Sequence, residues 1–202
     1  MRWPGKNLDQ RKEGMEKLSY TIDMDYVGEE EWGMLNRLED FKLFRTGTRK
    51  QIFNLMQRKG PFLDEQMAIF DYRYTISTGK STKHFFTTVF FIQAKSLSLP
   101  EFMMKPENFF HKIGSFLGMQ DIDFEEHPKF SDQYLLKGED EERIRDIFDE
   151  NVLKFFTVEK NWSMEGVGYF LILYQHDKLL PERSIENFYR KGMQLYEYLR
   201  EK

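Results

Sequence analysis

The residues best equipped for chemistry lie in the stretch DIDFEEHPKFSDQY, residues 121–134. Within it Asp121, Asp123, Glu125 and His127 alternate with other residues, so an extended chain would project all four to one side. Hard oxygen ligands with an imidazole beside them could hold calcium or magnesium, or serve a metal-dependent hydrolase. The calcium-loop pattern is incomplete, because it needs a glycine at its sixth position and a glutamate at its twelfth. Ile122 and Phe124 point the other way, which describes a segment pinned to the interior by apolar side chains with its acids in water. Charge runs are usually solvated faces, so this second reading is preferred.

Other chemical signals are weaker. Ser77 to Thr82, STGKST, contains the Gly-Lys-Ser that closes a phosphate-binding loop. That motif requires a glycine five residues before Gly79 and must join a strand to a helix, whereas Tyr74 occupies the position and a strand follows. A polar hairpin turn accounts for it. His84, His111, His127 and His176 are scattered without metal-ligand spacing, no GxSxG elbow is present, and Glu165 to Gly168 lacks the third glycine of a dinucleotide turn. With no cysteine there are no disulfides, thiolate zinc sites or cysteine nucleophile. No cofactor is implied, and a non-enzymatic protein is expected. A weaker idea is a small-molecule pocket beside the long hairpin, with Tyr72, Arg73, Tyr74 or Trp162 as polar handles.

Charge is distributed unevenly along the chain. Lys42, Arg45, Arg49, Lys50, Arg58 and Lys59 occur with no acid among them, whereas residues 121–150 hold twelve acids against four bases. The basic run could meet an anionic membrane surface, where each Lys or Arg contributes about 1 kcal/mol. It could equally face the acidic stretch of its own or another copy. The net charge of −4 makes nucleic acid a poor partner for the molecule as a whole.

These residues are carried by a mixture of strands and helices. Composition marks 1–30 as a loose, flexible, charged N-terminal arm with a short helix around Leu8 to Leu18, followed by a single domain over 31–202. Trp32, Leu35, Leu38 and Phe41 mark a short helix, and the chain from Arg45 to Lys59 reads as a strand. Phe70, Tyr72, Tyr74 and Ile76 share one face by period two, as do Phe86, Thr88, Phe90 and Ile92 on the return, predicting a long antiparallel hairpin over about 66–94. Short strands are expected at Phe102 to Met104 and Tyr134 to Leu136. Between them Pro106 should open a helix whose stripe is Phe109, Phe110, Ile113, Phe116 and Leu117. A further helix should start in EDEER and break near Asn151. A C-terminal hairpin over about 161–175 should turn at Glu165-Gly166, and a last helix should run from Pro181 to Leu199 with Gly192 against the core. The pattern predicts an α+β fold, an antiparallel sheet built on the two hairpins and packed with three to four helices.

The spacing of FDYRY, GK, FFIQ, LPEF, KPE, DIDF, HPKFS and YLLKGEDE, ending in WSMEGVGYFLILY, resembles a bacterial family of unknown function over residues 41–174. Members of that family often carry a membrane-spanning segment ahead of this region. The resemblance implies no reaction. Here the N-terminus is charged and the longest strongly apolar run, Phe85 to Ile92, is far short of the ~20 residues that cross a bilayer. The expectation is a cytoplasmic module, peripheral to the membrane if it meets one, that binds a protein partner or an anionic membrane surface.

Overall fold

The period-two runs become strands and the 3.6-period runs become helices in the computed structural model, which describes residues 7–29, 33–60, 65–108 and 121–200. In chain order the elements are α1 (Asn7–Thr21), β1 (Asp25–Gly28), α2 (Met34–Leu38), α3 (Lys42–Arg45), β2 (Thr48–Lys59), β3 (Glu65–Ser77), β4 (Thr82–Ala94) and β5 (Leu99–Pro106). They continue with α4 (Pro128–Ser131), β6 (Tyr134–Gly138), α5 (Glu141–Ile147), α6 (Glu150–Val158), β7 (Ser163–Gly168), β8 (Phe170–Tyr174) and α7 (Glu182–Leu199). The strands form one eight-stranded sheet in the order β1-β2-β3-β4-β8-β7-β5-β6, with every pairing antiparallel. The fold is therefore α+β. Its two hairpins are joined where β4 pairs with β8 from Val89↔Tyr174 to Gln93↔Phe170.

Because β3 and β4 are apolar on both faces, the sheet needs cover on both sides. One face carries Met67, Ile69, Phe90, Ile92, Met104 and Leu173, packed against Met15 of α1, Ile144 of α5, Val152 of α6 and Phe188 of α7. The other carries Phe70, Tyr72, Tyr74, Phe91, Ile172 and Tyr174, under Leu38, Leu43 and Phe44 of α2 and α3. Gly192 lets α7 approach β4, since a Cβ there would stand 2.6 Å from the Phe90 ring.

Several expectations are corrected. Residues 1–30 contain a helix that docks rather than a loose arm: within α1, Met15 is fully buried and Arg11 is 8% exposed. Composition hides this because a few anchors suffice among many solvated charges. Asp25–Gly28 adds an edge strand where none was expected. Pro106 ends β5, paired with Tyr134, instead of opening a helix, and the stripe beyond it at 109–118 lies outside the described residues, as does Trp32. The C-terminal hairpin turns at Gly168-Tyr169, not Glu165-Gly166. Glu165 pairs with Ile172 and Val167 with Phe170, and Gly168 takes the positive φ of 57° that the turn requires. The helix break falls at Phe148-Asp149, where the Asp149 carboxylate accepts from the amides of Asn151 and Val152 and starts α6. The short helix expected around Leu35 and Leu38 is α2, and the helix count among the described residues grows because α3 and α4 are four-residue turns too short to show a period.

Candidate functional site

Three groups of polar residues compete for function: the acidic stretch, the basic stretch, and two polar clusters inside the sheet.

The acidic stretch is built as a covering strap beside β6. Asp121 bridges to Lys137, the Ile122 amide donates to the Leu136 carbonyl (2.9 Å), and the Leu136 amide donates to Asp121 Oδ1 (3.2 Å). Ile122 is 1% exposed and anchors the segment. Phe124 packs edge-on to Phe130 at 5.7 Å, and the Arg145 guanidinium lies over its ring at 5.2 Å. Asp123 and Glu125 are exposed, and His127 precedes α4, its amide donating to the Phe124 carbonyl. Partial burial and the neighbouring Asp123 charge raise the Asp121 pKa, against the Leu136 amide and Lys137, which lower it. Among the described residues no three His, Asp or Glu side chains gather where they could hold a metal ion. Asp121, Asp123, Glu125 and His127 therefore do not form the site that their alternation suggested. The chain there makes one bridge and then turns instead of staying extended.

The six bases of the other stretch are also separated. Lys42 pairs with Glu101 (3.0 Å), and Arg45 donates to the Glu39 carbonyl (2.9 Å) and reaches Asp40 (3.4 Å). Arg49 and Lys50 are exposed at the start of β2, while Arg58 and Lys59 are at its far end, where Arg58 lies 5.6 Å from the Tyr189 ring centroid. At 3.3 Å per residue the two ends of this strand are about 30 Å apart, so the six share no single patch. The STGKST loop is the polar turn expected of it, closed by the Thr78 amide donating to the Ser81 carbonyl (3.0 Å).

The clusters that sequence reading missed are both inside the sheet. Asp71, with no exposed surface, stands in the middle of β3. Arg11 of α1 reaches it through Nε (2.6 Å to Oδ2) and Nη2 (2.8 Å to Oδ1), and Arg11 Nη1 donates to the Leu180 carbonyl (2.8 Å). Thr88 Oγ1 of β4 donates to Asp71 Oδ1 (2.8 Å) and accepts from the Leu180 amide (3.0 Å). Asn54 occupies a bulge in β2 at φ 51°. This backbone setting, which asparagine tolerates, aims its Nδ2 at Asp71 Oδ2 (2.9 Å) while its Oδ1 accepts from the Tyr26 hydroxyl (3.0 Å). Burial works to lower the Arg11 pKa, but the hydrogen bond and charge of Asp71 outweigh it and the pKa is raised.

On the opposite face Glu165 of β7 is 2% exposed. Its oxygens accept from the amides of Lys42 (2.5 Å) and Leu43 (3.2 Å), at the start of α3, and from the Tyr174 hydroxyl (2.7 Å). Burial pushes the Tyr174 pKa well up, and the Glu165 charge adds to the rise. Burial lowers the Lys105 pKa, Glu165 opposes that, and Lys42 adds to it. A carboxylate, a lysine and a phenol together could in principle exchange protons with a substrate. The space beside them has a cavity volume of about 10 Å³, lined by Asp40, Lys42, Glu101, Lys137 and Glu165 among others, which admits about one water. A larger hollow of about 520 Å³ opens between the start of α1 and β1–β3 and mixes Asp9 and Glu29 with Lys12 and Arg73. Of the residues suggested as handles for a small molecule, Arg73 lines it. Tyr72 and Tyr74 are packed on the other face, and Trp162 stacks on Phe188 at 5.1 Å.

A sequence signal for these clusters existed. Asp71 interrupts the apolar run MAIFDYRYTI, Thr87-Thr88 interrupts KHFFTTVFFIQA, and Glu165 interrupts WSMEGVGYF. Among the described residues no helix is long and apolar enough to cross a membrane.

No protein-family model and no curated protein matches this chain. Among solved structures it is similar to the crystal structure of the mycobacterial trehalose monomycolate transport factor A, TtfA, with a TM-score of 0.65 over 94% of each chain and 11% sequence identity. At that identity the likeness is one of fold.

Proposed function

We propose that this chain is a non-enzymatic docking module, cytoplasmic and peripheral to a membrane, whose work is done by its outer surface. One observation carries the reading: the two buried carboxylates among the described residues, Asp71 and Glu165, are each saturated by internal donors, and the space beside Glu165 has room for about a single water. Catalytic groups need room for a substrate and an unspent proton-transfer partner. Glu165 lacks the room, and Asp71, although Asn54 and Tyr26 beside it line the larger hollow, is fully spent on Arg11, Asn54 and Thr88, so both serve to hold the sheet together. The fold is similar to that of a mycobacterial transport factor, and an assisting role is in keeping with that likeness of fold.

Photo-cross-linking in cells tests this, with a benzophenone side chain placed one at a time at exposed positions Tyr20, Lys50, Lys80, Val158 and Tyr169. A discrete adduct confined to one side of the molecule is expected. Absence of adducts from every position would overturn the docking role. So would discovery of a reaction that is lost in a folded Glu165→Gln variant.

A further inference from the structure

The hairpin end of the sheet concentrates bases although the whole chain carries −4. Strands β2, β3 and β4 contain two acids, Glu65 and Asp71, of which Asp71 is buried and Glu65 begins β3 at the opposite end. At the hairpin end stand Arg49 and Lys50 on β2, Arg73 on β3, Lys80 in the turn, Lys83 on β4 and Lys178 after β8. Pairings Thr48↔Thr75, Gln51↔Arg73 and Arg73↔Phe86 set these strands side by side, and the Thr88 amide donates to the Lys178 carbonyl. Neighbouring strands are about 4.8 Å apart, so the bases on β2 and β4 lie within about 10 Å across the sheet. Asp9 and Glu29 share a hollow with Arg73 and Lys12, and Asp177 lies beside the β4 base. It pairs with Lys83 (3.1 Å) and accepts from the Phe86 amide (3.4 Å). Arg73 donates to Gln51 (2.5 Å) and Lys178 to Gln175 (2.6 Å).

The turn projects past β2, and a Cβ added at Gly79 would meet nothing within 4 Å. Half-buried Phe85 and Phe86 flank the bases, with Lys83 Nζ 4.2 Å from the Phe85 ring centroid. A projecting tip with charges on several strands fits a broad anionic plane, not an enclosed peptide or nucleotide. Four of the six bases are lysines, compact hydrated charges that suit headgroups without requiring bidentate geometry.

Resting on the docking reading above, we propose that this hairpin end binds the surface of an anionic phospholipid bilayer. It keeps Arg49 and Lys50 from the basic stretch, replaces the ion-paired Lys42 and Arg45 and the distant Arg58 and Lys59, and adds bases brought in by β3, β4 and the chain after β8. At a surface of this kind each base is worth about a fivefold change in affinity.

Flotation of the full chain with phosphatidylcholine vesicles, with and without 30% phosphatidylglycerol, tests it. Binding is expected with the anionic vesicles alone and should fall steeply between 50 and 500 mM salt, a readout on the unmodified chain that misfolding cannot imitate. Reversing Arg49, Lys50, Lys80 and Lys83 to Glu should reduce binding at least several hundredfold. Reversing exposed Lys59, Lys129, Lys160 and Arg183 instead should cost far less. No binding to anionic vesicles, or equal losses in the two quadruple variants, would overturn the proposal. If vesicles fail while discrete protein adducts appear in the cross-linking experiment, lipid docking falls and the docking module stands. If neither appears, both fall.

Discussion

Asp71 and Glu165 lie on opposite faces of one sheet, both buried, and are neutralised in different ways. Asp71 draws side chains from three elements far apart in the chain: Arg11 on α1, Asn54 on β2 and Thr88 on β4. Glu165 draws on two main-chain amides at the start of α3 and on the phenol of Tyr174, two positions along the adjacent strand from its register partner Ile172. The first arrangement sets a full positive charge against a full negative one across 60 residues. The second uses peptide dipoles that remain wherever α3 is folded. Removing one partner of a buried ion pair leaves a bare charge, whereas removing one of several dipolar donors leaves the others in place. Asp71 therefore makes the N-terminal helix obligatory, while Glu165 organises its own neighbourhood.

The largest effect should come from Arg11→Met, which strands Asp71 in the core and is expected to cost about 3–5 kcal/mol in urea unfolding. The double variant Arg11→Met with Asp71→Leu should regain most of that loss, because an apolar replacement of both partners removes the uncompensated charge. A loss for Arg11→Met smaller than that for Tyr174→Phe would break the contrast between the two carboxylates. Tyr174→Phe removes one hydrogen bond to a charged acceptor and should cost about 1.5–3 kcal/mol, with Glu165 still held by the two amides.

Alkaline titration sharpens the same contrast, since Glu165's face is the one rich in buried phenols. Burial raises the pKa of Tyr174, Tyr72 and Tyr74, and that of Tyr134 on the other face to about 12. A phenol whose folded pKa lies above its unfolded value of 10 contributes stability that is complete below pH 10 and is lost as pH rises through the folded value. Stability should thus decline above pH 10, and absorbance at 295 nm should show these phenols ionising together with unfolding. In Tyr174→Phe the decline should be shallower.

The long hairpin, β6 and α7 were legible because their apolar periods are carried by residues that pack locally. Phe70, Tyr72 and Tyr74 alternate in sequence and in space, and Gly192 meets Phe90 where the stripe of α7 requires a close approach. The buried polar clusters were not legible, because an isolated Asp71 or Glu165 in an apolar strand has no meaning until its partners are known. Those partners, Arg11 and the amides of Lys42 and Leu43, lie 60 and more than 120 residues away. The acidic stretch misled in the opposite direction. Its alternation was real, but Ile122 and Phe124 decide its path, and after the single bridge at Asp121 the chain turns through His127 into α4. The basic stretch failed as a unit because four of its six bases lie on a long strand whose ends are remote from each other.

The smallest expected effect, opposite in sign, is at Tyr72. This residue has no exposed surface and lies on Glu165's face of the sheet, yet its hydroxyl has no hydrogen-bond partner among the described residues. Its ring supplies the packing, 4.4 Å from Phe44 and 5.6 Å from Tyr74 between centroids. Phenylalanine retains those contacts and removes a buried donor that nothing satisfies, so Tyr72→Phe should raise stability by about 1 kcal/mol. If the substitution instead lowered stability by that amount, the hydroxyl would have a partner in solution. The polar groups on this face would then form a connected network with Glu165, and the distinction drawn between the two carboxylates would narrow.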